Sequence, residues 1–167
     1  IIRPGDVYGP ASRAWVVVPL EMMRAGQFLL PDAGQGVFSP VYIDDLVDGF
    51  ILCATHPAAA NRTYILAGAE VTTLNELVAL IAEVAGVRPP WLYLPVSPFW
   101  LAGAVCEAIC VPLKIEPPIY RRRVDFYTKS RAFDITRART EIGYAPKVSL
   151  KDGIGRTLEW YRAHGWL

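Results

Sequence analysis

The side chains that could do chemistry in this chain fall into four groups. The first is the opening run Arg3-Pro4-Gly5-Asp6-Val7-Tyr8-Gly9-Pro10, where an apolar strand meets a glycine and proline turn. Turns of that kind deliver the carboxyl end of a strand to a ligand crevice. Gly5 permits close approach of backbone to a ligand, with Asp6 and Val7 directly after it. The second is Phe38-Ser39, an aromatic and a hydroxyl just before Pro40. The third is the pair Asp44-Asp45. Adjacent carboxylates suit acid/base or metal chemistry, but at the start of a helical pattern they read as caps at the positive end of the helix dipole. The fourth is Arg121-Arg122-Arg123, either a clamp for an anion, with Arg123 the candidate, or a solvated turn.

The remaining reactive types point to little. His56 and His164 have no partner at ligand spacing, so no metal is expected. Cys53, Cys106 and Cys110 are odd in number, and two of them sit one helical turn apart in an apolar run. They read as reduced core thiols in a cytoplasmic protein, with nothing basic beside them in sequence to lower a thiol pKa.

The elements that must position these groups alternate between strand and helix. Helical spacing runs from Trp15 to Ala25 and stops at Gly26, and Phe28-Leu29-Leu30 is a short strand. Phe38 to Ile43 is extended, and Asp44 caps a helix whose apolar positions are Leu46, Val47, Phe50, Ile51 and Ala54. Thr63 to Ala67 is a strand, and Thr73 with Glu76 forms a capping box for a helix ending at Gly86. Ser97-Pro98 opens an apolar helix that reads as a lid or plain core, since it lacks the basic face of a membrane-surface helix. Val124 to Tyr127 is a short strand; Asp134 caps a helix through Ile142; Ser149 with Asp152 starts the last helix.

Composition sets the limits. Seventeen basic residues against sixteen acidic ones leave no global field for nucleic acid or an anionic surface. A hydrophobic content of 53% and a mean hydropathy of +0.26 suit a packed core. No apolar run is long enough to span a membrane, and none is expected to touch one.

Five blocks together carry a resemblance: Arg3 to Pro10; Val41-Tyr42-Ile43-Asp44-Asp45-Leu46; Thr72 to Leu77; Phe133-Asp134 to Arg139 with Gly143-Tyr144-Ala145-Pro146; and Ser149 to Ile154. In this order and spacing the chain resembles the C-terminal half of the extended short-chain dehydrogenase/reductases, the NAD-dependent epimerase/dehydratase family. Phe38-Ser39-Pro40-Val41-Tyr42 and the region from Phe126 to Asp134 resemble its 3β-hydroxysteroid dehydrogenase-like and dihydroflavonol-reductase-like branches more than its nucleotide-sugar members. That resemblance implies an α/β fold, the C-terminal part of an NAD(P)-binding Rossmann-fold protein. A few sheet strands and a mostly helical substrate-binding subdomain would fill residues 1–167, with the dinucleotide-binding half absent.

The family's glycine-rich turn and its Tyr-x-x-x-Lys pair do not occur in this chain, in which Tyr127 is followed four residues later by Arg131. The resemblance therefore implies no catalytic residue here. NAD or NADP would belong to the parent protein, bound weakly or not at all by this chain. Pro4 and Gly5 map to the segment that approaches the nicotinamide, and Asp6, Val7, Phe38, Ser39 and Arg123 to the substrate side. Nucleotide-sugar members usually carry Asn where Asp6 stands and Arg where Ser39 stands; both changes remove diphosphate affinity. The implied parent acts on a secondary alcohol or ketone of a mainly apolar small molecule. A nucleotide-sugar epimerase or dehydratase, or a redox-inactive NADPH-sensing member, remains the alternative. The opening strand's unpaired edge offers a route to a homodimer.

Overall fold

The computed structural model describes residues 1–31, 34–113, 115, 125, 128 and 130–167. The opening run is one extended segment that changes partner in its middle. Strand β1 (Ile2–Pro4) pairs in parallel with β6 (Tyr64–Leu66), and β2 (Asp6–Tyr8) pairs in parallel with β5 (Pro40–Tyr42). The switch occurs at Gly5, whose amide donates to Leu66 O at 2.8 Å, while the next amide, of Asp6, donates to Ser39 O at 3.0 Å. A Cβ at Gly5 would sit 2.5 Å from Ser39 O and 3.0 Å from Ala67 Cβ, so the crossing requires glycine. Two further pairs complete the strands: β3 (Leu29–Pro31) parallel with β8 (Leu92–Leu94), and β4 (Val37–Phe38) antiparallel with β7 (Thr72–Thr73).

Two apolar cores flank these strands. One gathers Val16, Leu20, Leu30 and Phe38 with Leu77, Val78 and Ile81 of α3 (Leu74–Ala85) and Ile154 and Leu158 of α6 (Leu150–Ala163). The other joins Val41, Leu46, Tyr64 and Leu66 to Ala138, Ile142 and Tyr144, the first two of these on α5 (Thr136–Ile142). Local signals hold at most helix ends. Thr73 and Glu76 form the reciprocal capping box, Gly86 closes α3 at φ +68°, and the Ser149 hydroxyl accepts from Asp152 N. Asp134 Oδ1 accepts from Thr136 N at 2.8 Å and so holds the start of α5.

Several expectations change. The helix expected from Trp15 divides into a π turn (Arg13–Val17) and α1 (Val18–Arg24). Helix α2 (Ile43–Thr55) begins before Asp44 and has Tyr42 at its N-cap with no side-chain cap. Asp44 is exposed in its first turn, whereas Asp45 is buried. The buried face of α2 is Asp45, Leu46 and Gly49, leaving Val47, Phe50 and Ile51 in solvent. Gly49 explains the rotation: a Cβ there would lie 2.7 Å from Leu66 Cδ1 and 2.9 Å from the Tyr144 ring, so this face alone packs closely. The apolar helix α4 (Val96–Cys110) starts from Pro95 and places Pro98 at its third position; Gly103 is its one buried residue, so it is not core. The three cysteines are free and half-buried rather than core thiols. Strand β1 is not the buried strand its sequence suggests: Ile1, Arg3 and Pro4 are exposed, and among the described residues only β6 pairs with it.

Candidate functional site

The opening turn, the Ser39 segment and a stretch more than ninety residues downstream converge where β1 and β6 end and β5 begins. Asp6 Oδ2 accepts from Ser39 N at 3.1 Å. The Ser39 hydroxyl accepts from Phe133 N at 2.9 Å and donates to Arg131 O at 3.3 Å, and Arg131 N donates to Val37 O at 2.8 Å. Ser39 thus fastens the segment 131–133 to the β4–β5 junction with both hydrogen-bonding roles of one hydroxyl. Gly68 N donates to Pro40 O at 3.0 Å, and a Cβ at Gly68 would run into that carbonyl, so the backbones here are in direct contact.

Burial drives the electrostatics. Desolvation raises the Asp6 carboxyl above its usual range, opposed by the Ser39 amide and by the charge of Arg131. Tyr8, at the end of β2, is buried, and its hydroxyl is raised by burial first and then by the charges around it, Glu70, Tyr42, Asp45 and Asp152. It stays protonated, which does not suit it to a proton-abstracting role. Its ring meets Tyr42 edge to face at 5.6 Å, and the Arg156 guanidinium lies 5.8 Å from the centroid of the Tyr42 ring.

The residues singled out by sequence take different places. Gly5, Asp6 and Ser39 are brought together, with Pro4 exposed beside them and Val7 packed on the second core. Phe38 is fully buried, edge to face with Trp15 at 5.2 Å, so it supports the site from the core side and offers no side-chain surface. Ser39, 1% exposed, is occupied by the backbone bonds described above. Arg123 and the arginine run around it lie outside the described residues, as does most of the strand expected over 124–127. One residue was missed and one takes a different role. Arg131 brings a positive charge to Asp6 from across the sequence, which no local spacing announces. Asp45 is no cap: its two oxygens accept from Lys147 N at 2.9 Å and Val148 N at 3.1 Å, tying the loop after Tyr144 to α2. Among the described residues no cluster of three metal-ligand types forms, and no helix is long and apolar enough to cross a membrane.

No family model matches the chain. The homologues of the chain are members of the NAD-dependent epimerase/dehydratase family, and the part they share with it is their C-terminal half. One is the decarboxylating sterol-4-alpha-carboxylate 3-dehydrogenase of Schizosaccharomyces pombe, 29% identical across 95% of this chain and 49% of that protein. Another is the 2-alkyl-3-oxoalkanoate reductase of Stenotrophomonas maltophilia, 26% identical across 93% of this chain and 49% of that protein. The fold matches the UDP-glucuronic acid 4-epimerase of Bacillus cereus, solved with UDP-glucuronic acid and NAD, with a TM-score of 0.69 at 18% identity over 98% of this chain and 45% of that one. The chain spans about half the length of the relatives it matches. Its fold is that of the Rossmann-type epimerases and dehydratases, and its relatives are NAD(P)-dependent dehydrogenases, reductases and epimerases.

Proposed function

We propose that this chain is the C-terminal, substrate-binding portion of an NAD(P)-dependent oxidoreductase whose parent oxidises or reduces a secondary alcohol or ketone on a mainly apolar molecule. One observation carries the reading. At the junction where Gly5 and Asp6 meet Ser39, the Ser39 side chain is a hydroxyl spent on backbone groups, and the Ser39 amide is held by the Asp6 carboxyl, whose pKa burial raises. A diphosphate would meet repulsion from that carboxylate, whereas a substrate hydroxyl can donate a hydrogen bond to it. The activities for which the sterol dehydrogenase and the oxoalkanoate reductase are named point the same way. In this reading Pro4 and Gly5 face the nicotinamide, Asp6 and Val7 face the substrate, and Phe38 and Ser39 shape that wall from behind; Arg123 completes the substrate side. The parent's dinucleotide-binding half would cover the unpaired edge of β1 and the apolar face Val47, Phe50 and Ile51 of α2. In the isolated chain that edge is the route by which two copies would pair.

A second reading has its own support: Arg131 stands near Asp6, and a guanidinium is the natural partner of a phosphate. In that case the parent is a nucleotide-sugar epimerase or dehydratase.

Thermal-shift titration of the purified chain separates the two. Cyclic hydroxy- and ketosteroids and 3-oxoacids are expected to raise the melting temperature, and UDP-glucose and UDP-glucuronic acid are not. The reverse result overturns the apolar reading in favour of the sugar nucleotide. Calorimetry with NADH and NADPH is expected to show no saturable binding. Tight binding by either would overturn the assignment of the cofactor to the parent's dinucleotide-binding half.

A further inference from the structure

Phe38 is fully buried, so it is not the apolar surface that a ligand beside Ser39 would meet. Trp15 reaches that place instead. Its ring meets Phe38 edge to face at 5.2 Å and is half-buried, with part of the indole in solvent. The π turn that carries it packs on β2 and on α6. Strand alternation fixes the side on which it lies. Val7 points into the second core, so Asp6 and Tyr8 share the opposite face, and the register of Asp6 with Pro40 puts Phe38 on that face too. Trp15, Phe38 and the Asp6 carboxyl therefore stand on one side of the strands. On that side Asp6 Oδ2 accepts from Ser39 N at 3.1 Å, and no partner of Asp6 Oδ1 occurs among the described residues.

The connection that delivers Trp15 is not relaxed. Ser12 N donates to Gly9 O at 3.1 Å and closes a turn with Pro10 and Ala11 at its centre. Ala11 sits at φ +62°, a left-handed position that such turns usually give to glycine. The π turn Arg13–Val17 follows, closed by Val18 N donating to Arg13 O. Its wider loop lets the consecutive residues Val16 and Val17 both reach 0% exposure and leaves Trp15 at the border of the core. Strained backbone and π turns gather at ligand sites, and this pair follows the carboxyl end of β2, the end at which open parallel sheets bind their ligands.

We propose that Trp15 is a specificity-determining residue of the substrate side, its indole bearing on the apolar body of the substrate while Asp6 takes the hydroxyl. This inference rests on the reading of the chain as the substrate-binding portion of an oxidoreductase for apolar alcohols and ketones. A rigid indole gains most from a rigid, flat partner, which loses no internal freedom on stacking. An open chain with the same number of carbons must freeze its rotamers to lie along the ring. Trp15 therefore favours a ring-bearing alcohol over an open-chain one, and Phe38 holds the indole in place from the core side.

The test is an NMR titration of the isotope-labelled chain with 2-indanol, with 2-nonanol, a secondary alcohol of equal carbon number, and with UDP-glucuronic acid. The five tryptophans give indole N–H signals, and Trp15→Phe assigns the one from Trp15. With 2-indanol this signal and the amides of Asp6, Ser39 and Phe133 are expected to shift together and saturate, at lower concentration than with 2-nonanol. Trp15→Leu keeps apolar bulk against Phe38 and is expected to weaken 2-indanol binding about tenfold and to erase the preference over 2-nonanol, whereas Trp15→Phe keeps it. Far-UV circular dichroism checks that the variants fold, and the wild-type indole signal decides the matter if Trp15→Leu does not. Three outcomes overturn the role of Trp15 and leave the apolar reading standing: amide shifts with 2-indanol while the Trp15 signal stays still, equal affinity for the two alcohols, or undiminished 2-indanol binding by Trp15→Leu. Amide shifts with UDP-glucuronic acid alone, or with none of the three compounds, overturn both.

Discussion

Helices α4 and α6 invert the usual expectation about hydrophobicity and burial. Helix α4 consists almost wholly of apolar residues and buries Gly103 alone, while α6, with Lys151, Asp152, Arg156, Glu159 and Arg162 along it, buries Leu150, Gly153, Ile154, Thr157, Leu158 and Tyr161. The difference is one of arrangement. In α6 the apolar residues recur at three and four positions and form one stripe, which lies against α3 and the π turn. In α4 they have no preferred side, so no single packing direction is favoured. Apolar content measures how much surface would gain from leaving water; periodicity determines whether one face can do so within the fold.

Mutations sharpen that contrast. Leu158→Ala, at a fully buried site of α6, is expected to cost about 3 kcal/mol in urea denaturation, whereas Leu101→Ala on α4 is expected to cost less than about 0.5 kcal/mol. Equal costs at the two sites would break the comparison. A second contrast sets the two adjacent carboxylates of α2 against each other. Asp45→Ala leaves the amides of Lys147 and Val148 without their acceptor and is expected to destabilise by about 2 to 3 kcal/mol, against roughly 0.5 kcal/mol for the exposed Asp44→Ala. Ser39→Ala removes the acceptor of Phe133 N and is expected to cost about 1 to 2 kcal/mol. If Ser39 holds segment 131–133 in place, hydrogen exchange at the Phe133 amide will also accelerate.

The smallest effect is a pH dependence. The amide and hydroxyl of Thr73 hold the Glu76 carboxyl below its usual range. The folded state therefore binds this proton less readily than the unfolded one, and the contribution of Glu76 is present above the ordinary glutamate range and fades as the pH falls through and below it. Glu76→Gln is expected to lower stability at neutral pH by a few tenths of a kcal/mol and to flatten the acid limb of the stability curve. An unchanged acid limb would show that the box contributes nothing in solution. Asp6 has the opposite sign: burial raises its carboxyl, so ionisation opposes folding as the pH rises through the carboxylate range. Asp6→Asn keeps an oxygen for the Ser39 amide and is expected to raise stability slightly at neutral pH, by a few tenths of a kcal/mol.

What the residues alone settled is what short-range physics governs. The capping box at Thr73 and Glu76, the left-handed closures at Gly26, Gly86 and Gly143, and the Ser149 cap depend on neighbours within four positions. The blocks from Arg3 to Pro10 and from Val41 to Leu46 carried the family resemblance for a similar reason, since each is a contiguous run. The site was legible in part: Gly5, Asp6 and Ser39 were singled out and do meet, yet the crossing of strands at Gly5 and the hold of Ser39 on Phe133 became visible only in three dimensions. Tertiary structure alone decided which carboxylate of Asp44 and Asp45 is buried, which side of α2 faces the strands, that Arg131 reaches Asp6, and that α4 stays in solvent. Each of these turns on which face of an element finds a partner distant in sequence, and helical or strand periodicity specifies a face without specifying what will cover it.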